Sequence, residues 1–178
     1  GRAAAAQAAL AAAAGFFAAQ GNTVGVAAVA LARAELALSR ADAAQALGLA
    51  DQAAQAFEQA GLVERRLRAD GVRAQALLGL QHKAAAREGF DRTLEAARRY
   101  RLLPLQLRCL TGRALTATSA AEARADLEAA VALFEDQCRT LPGDEVRSAF
   151  QADHLLPFVE LVRMELGRHD TQPGADAT

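Results

Sequence analysis

The chain has 178 residues, a net charge of −1 and a side-chain set that is 52% hydrophobic but only 4% aromatic, with no Trp. About a quarter of it is Ala, the best helix former, and Ile is absent, so composition argues for helices and against a sheet protein. No stretch of about 20 strongly apolar residues runs without charge, which argues against a membrane span.

Charge is unevenly spread. Residues 65 to 113 carry a local balance of +8, and residues 114 to 178 one of −7. Two readings stay open: solvated helix faces laced by i,i+4 pairs, or a basic central surface suited to an acidic partner. The single Lys beside so much Arg and Ala points to a high-GC bacterial source.

Ala3 to Gln20 reads as one helix, stopped at Gly21-Asn22. It has the character of the second helix of a pair whose first helix lies outside the sequence. Its hydrophobicity is too weak, and its continuation too helix-compatible, for a signal peptide. Thr23 to Arg40 is the next helix. Asp42 is a natural N-cap for a helix over 43–60 that Gly61 closes. Leu62 to Leu80 and Ala84 to Arg101 form a further pair around the turn Gln81-His82-Lys83. Pro104 suits the first turn of a helix that runs to residue 118. Ser119 and Glu122 form a capping box for a helix over 120–140.

Leu141-Pro142-Gly143 breaks the chain, and Asp144 can cap a last helical region from Glu145 to Gly167. Pro157 predicts a kink there, or two short helices. Residues 169–178 have no hydrophobic periodicity and read as a disordered tail or linker. The division is therefore 1–140 helical repeats, 141–168 a C-terminal helical segment, and 169–178 a tail. Because the chain opens on Gly1 rather than Met, it is expected to be a piece of a longer protein.

Four segments share a helical face, centred on Ala13-Phe17, Ala53-Phe57, Phe90-Leu94 and Leu127-Val131. In each, one apolar residue is followed by another four positions on, on the same face. Their spacing, between ~37 and ~40 residues, lies in the range that predicts stacked helix pairs. The pattern resembles degenerate tetratricopeptide repeats (TPRs) over about residues 3–140, with Ala53-Phe57 the best match. The first helices lack the Trp, Gly and Tyr of that family; Leu78 and Leu115 stand where Gly is expected. Residues 127–170 resemble the link between TPR arrays and CHAT domains, which are caspase-like proteases: Arg147, Phe150 and Phe158 fall at helical spacing after a Pro/Gly break.

The resemblance implies an all-α, right-handed solenoid of antiparallel helix pairs. It also implies the sensory or scaffold part of a CHAT-type protein, with the catalytic His and Cys beyond Thr178. No enzyme activity, cofactor or metal is expected of these residues themselves. The expected partner is a protein or peptide, including the C-terminal domain that would follow. The alternative is the helical-repeat sensor of a signalling or transcription regulator, binding a peptide or small molecule.

In TPR arrays the first helix of each pair lines a concave groove, which makes Glu35, Gln75, Arg108, Arg113 and Thr116 candidates for partner contact. Arg98-Arg99-Tyr100-Arg101 is the densest basic cluster. It suits phosphates or an acidic peptide, and equally a helix C-terminus, where cations complement the dipole. One Tyr and no Trp argue against a nucleic-acid surface. Cys109 and Cys138 lie in separate helices with no nucleophile motif near His82, His154 or His169. They read as small packing residues in a reducing compartment, consistent with a cytoplasmic location. The apolar face of Ala3 to Phe17, left without a neighbour, is expected to support a homodimer.

Overall fold

The computed structural model describes residues 2–140 and 156–171, and these are all helical apart from the connections. Among the described residues eight helices follow one another: α1 (Arg2–Ala19), α2 (Thr23–Ser39), α3 (Ala43–Gln59), α4 (Val63–Gly79), α5 (Lys83–Arg99), α6 (Leu103–Thr116), α7 (Ala120–Thr140) and α8 (Leu156–Thr171). From α2 to α6 the helices begin at Thr23, Ala43, Val63, Lys83 and Leu103, an even step that makes two successive helices one repeat.

The turns explain this spacing. Gly21, Ala41, Gly61, Gln81 and Arg101 all have positive φ and recur at the same interval. At each, a Schellman pair closes the helix. Gly61 N–H donates to Glu58 O at 3.0 Å and Leu62 N–H to Phe57 O at 2.9 Å; Gln81 and His82 do the same to Leu78 and Leu77. The next helix starts at once. Asn22 accepts from Gly25 N–H at 2.7 Å, and Asp42 accepts from Gln45 N–H at 3.1 Å. Asn22 thus caps the following helix as well as ending the preceding one. Ser119 accepts from Glu122 N–H at 3.2 Å, one half of the capping box. The Glu122 carboxylate bonds the N–H and hydroxyl of Thr118, one residue earlier than the motif requires.

Consecutive helices pack from α1 to α7, and α8 packs on α7 and α6. The even helices also touch in series, α2 with α4, α4 with α6 and α6 with α8. Two cores result. Around α2–α4 the buried set is mostly Ala (Ala27, Ala30, Ala34, Ala50, Ala53 and Ala69), with Leu31, Phe57 and Val72. Around α4–α7 it is larger: Leu67, Phe90, Leu94, Leu105, Leu107, Leu110 and Phe134, with Cys109. Small side chains let helix backbones approach, and the few aromatics fill what remains. A Cβ at Gly25 would overlap the Phe17 ring, and one at Gly112 the Phe90 ring.

Pro157 is the second residue of α8, so its missing N–H falls among donors that lack intrahelical partners anyway; the expected kink or pair of short helices involves residues before 156, outside the described ones. α8 continues to Thr171, into the stretch expected as tail. The expected break at Pro142-Gly143, the Asp144 cap, Arg147 and Phe150 fall outside the described residues. Phe158 packs edge-on against Phe134 at 5.1 Å. Among the described residues no helix is long and apolar enough to cross a membrane.

Candidate functional site

The even helices enclose a groove of about 760 Å³. Leu38 and Ser39 of α2 line it, with Glu64, Arg68, Gln75 and Leu78 of α4. Leu105, Arg108 and Leu115 of α6 and Leu156 and Pro157 of α8 complete the wall. Leu78 and Leu115 therefore supply apolar lining.

Three charges from three helices meet beside this groove. Glu35 Oε1 lies 3.9 Å from Arg68 Nη2 and 3.7 Å from Arg108 Nη1. These separations give Coulombic attraction without a hydrogen bond, and all three side chains keep contact with solvent. Neither guanidinium has a second protein partner among the described residues. Gly71 makes the convergence possible: a Cβ there would stand 2.8 Å from Leu105 Cδ1 and 3.9 Å from Arg108 Cδ. Without it, α6 passes close over α4 and Arg108 reaches back to α2.

Of the five residues expected at the groove, the structure brings Glu35, Gln75 and Arg108 to it or beside it. Arg113 and Thr116 are placed elsewhere. Arg113 Nε is 3.3 Å from Asp91 Oδ1 on α5 and 3.2 Å from Asp126 Oδ2 on α7, so it ties the three helices together. Arg87 joins the cluster through Asp91 and Glu122 and donates to the Arg113 carbonyl. Thr116 is buried, and its hydroxyl donates to that same carbonyl at 2.8 Å.

Arg68 is a groove residue that sequence reasoning missed. The signal was the period: one full repeat separates Arg68 from Arg108, and the same interval separates Glu35 from Gln75. It also links two ion pairs outside the groove. Asp51–Arg73 at 2.8 Å and Asp91–Arg113 at 3.3 Å are one interaction repeated, from an odd helix to the next even one.

In the basic cluster at the end of α5, Arg99 pairs with Glu95, while Tyr100 is exposed and Arg101 occupies the positive-φ turn. Cys109 is fully buried, and desolvation pushes its thiol up to about 12 despite Arg108 and Arg113 nearby. It remains a protonated, apolar-packed thiol at neutral pH, with no thiolate to act as a nucleophile. Among the described residues no three His, Cys, Asp or Glu side chains are grouped to hold a metal. No family model, curated protein or solved structure matches this chain.

Proposed function

We propose that this chain is a non-enzymatic protein-interaction module. In this reading it is a right-handed solenoid of TPR-like helix pairs, each longer than the usual repeat of that family, from the regulatory part of a CHAT-type protein. The groove along α2, α4 and α6 holds an extended segment of a partner protein or of the protease domain itself. One observation carries the reading: Arg68 and Arg108 stand beside an apolar trough with their guanidiniums held, among the described residues, by one distant carboxylate. A partner segment would find apolar contacts and free N–H donors there together.

The test is capture of partners from a lysate of the source organism by the wild-type chain, by Arg68→Glu/Arg108→Glu, and by Lys83→Glu as a surface control, Lys83 being exposed and outside the groove. The reading expects a protein retained by wild type and control and lost with the groove variant, all three chains being equally helical by circular dichroism. Retention by the groove variant, or enrichment of nothing, counts against it. A second reading is favoured by the volume of the groove, which is of the size that encloses small ligands, on the order of 300–1,000 Å³. The chain would then be the sensor of a signalling regulator. A metabolite released on denaturing the purified chain would select that reading.

A further inference from the structure

We infer, on the reading of the groove as the seat of an extended partner segment, that Glu35 stands where the partner supplies an acid. An Asp or Glu side chain midway along the bound segment takes its place between Arg68 and Arg108. The repeat shows that these three charges are not one device copied from pair to pair. Arg68 and Arg108 hold the same position in α4 and α6, where α2 has Ala28. Glu35 holds the position of Gln75 and Leu115, both uncharged. One carboxylate therefore faces two guanidiniums, and positive charge is left in excess. Arg113, by contrast, meets two carboxylates.

Distance separates a held pair from this one. At 3.9 Å and 3.7 Å the Glu35 oxygen attracts both guanidiniums and hydrogen-bonds to neither, whereas Asp51 and Arg73 close to 2.8 Å. A carboxylate brought within hydrogen-bond distance would make the charge-assisted bonds that Glu35 does not make. The Arg68 side chain is 56% exposed and that of Arg108 36%, so both are open to such a group. Glu64 lines the groove as well, but it lies in the first turn of α4, where the helix dipole favours a carboxylate without any cation.

The groove runs from α2 to α8, and the two arginines stand on the helices between, α4 and α6. A segment laid across it passes them in its interior, so the acid is a side chain and not a chain end. On α6 and the turn before it the lining is Leu102, Pro104, Leu105 and Leu115, the last 44% exposed. On α2 and α4, Ser39, Glu64 and Gln75 interrupt Leu38 and Leu78. Apolar residues of the segment therefore lie to one side of its acid, toward α6.

A random-peptide library tests this on the 178-residue chain, each peptide fused through its C-terminus to a phage coat protein so that none has a free terminal carboxylate. Peptides held by the wild type should share one Asp or Glu with apolar residues on one side of it. The best of them, and its counterpart with the acid changed to the amide, are then titrated into wild type, Glu35→Gln and Arg68→Gln/Arg108→Gln, with the fold checked by circular dichroism. Glu35→Gln should bind the acidic peptide about three- to ten-fold more tightly, the effect of removing one solvated competing charge, and leave the amide peptide unchanged. Arg68→Gln/Arg108→Gln should bind the two peptides equally. Comparing acid with amide inside one variant keeps the result independent of any change in that variant's stability. Equal or weaker binding of the acidic peptide by Glu35→Gln overturns the inference, since Glu35 would then serve to hold the arginines. Selected peptides that lack an acid, or carry Lys or Arg in its place, overturn it too and leave the groove reading standing. Selection of no peptide at all overturns both.

Discussion

Arg108 and Arg113 leave the same helix about 140° apart, since five residues at about 100° each carry the second nearly to the opposite side. Arg113 meets two carboxylates from α5 and α7, and its side chain is 25% exposed. Arg108 shares one oxygen of Glu35 with Arg68 and faces the groove. One face of α6 is thus locked into the stack and the other is open. An arginine on the locked face serves assembly, whereas one on the open face has donors to spare for something else.

Steric substitution gives the largest contrast. On α6, Gly112 lies under the buried Phe90 ring, where a Cβ would fall within 2.6 Å of three ring atoms. Gly112→Ala should lower unfolding stability by about 1–3 kcal/mol, as overpacked cores do. Gly48 on α3 is exposed, and nothing lies near its Cβ position. There the same change should raise stability by up to about 1 kcal/mol through helix propensity alone. Urea denaturation of the two variants checks both signs. A tolerated Gly112→Ala would mean that this face is not closely packed.

Double-mutant cycles address the charges themselves. Arg113→Ala and Asp126→Ala should couple by about 1–2 kcal/mol, because the Asp126 side chain is only 12% exposed and loses its guanidinium in the first variant, while Arg113 keeps Asp91 in the second. Arg108→Ala and Glu35→Ala should couple by no more than about 0.5 kcal/mol, the ordinary worth of a solvated pair. Equal couplings would erase the distinction between the two faces and remove the reason to look for a ligand at one of them.

How much of this was legible in the sequence turns on register. The caps at Asp42 and Ser119, the stops at Gly21 and Gly61 and the first-turn Pro104 mark helix ends by local chemistry, and local chemistry is what a sequence displays. The angle between Arg108 and Arg113 was also there to be read, since it follows from their spacing. The repeat length was harder. Bulky core residues do not keep one position: Phe57 fills the end of α3, while Phe90 fills the middle of α5, where α3 has Ala50. Aligning the large residues shifts the third repeat by about one turn and makes the interval look shorter and less regular than it is. The turns keep the true interval, but three of their five positive-φ residues are Ala41, Gln81 and Arg101, which carry no glycine signal. Asp126 was concealed in the same way. It occupies the position of the fully buried Ala46 and Ala86, and the neighbouring Arg113 makes a carboxylate tolerable there.

Those turns supply a smaller prediction with the opposite sign. A left-handed conformation costs a non-glycine residue about 1 kcal/mol, and Gln81 and Arg101 are exposed with no side-chain bond that would be lost. Gln81→Gly and Arg101→Gly should each raise the urea midpoint, by about 0.5–1 kcal/mol in stability. They should do so whichever face of α6 is altered, because the turns lie apart from both ion clusters. A loss on either substitution would show that side-chain contacts, and not backbone strain, decide these turns.

Asp70 gives the smallest effect and stands between the two faces of the comparison. It lies on α4 with Arg66 Nη1 at 3.3 Å. Burial raises its carboxyl above the ordinary value, and Arg66 and Arg73 offset that only in part, while Glu58 adds to it. Desolvation therefore outweighs attraction at Asp70. With a raised folded pKa, Asp70 contributes stability in its protonated form at pH below about 4, and the contribution is lost as pH rises through the folded value. Asp70→Asn removes this dependence. It should be more stable than wild type at pH 7, with the advantage shrinking toward about pH 3.5, in urea titrations at fixed salt. A variant that is instead weaker at pH 7 would mean that the pair with Arg66 outweighs burial, and Asp70 would then belong with the locked carboxylates.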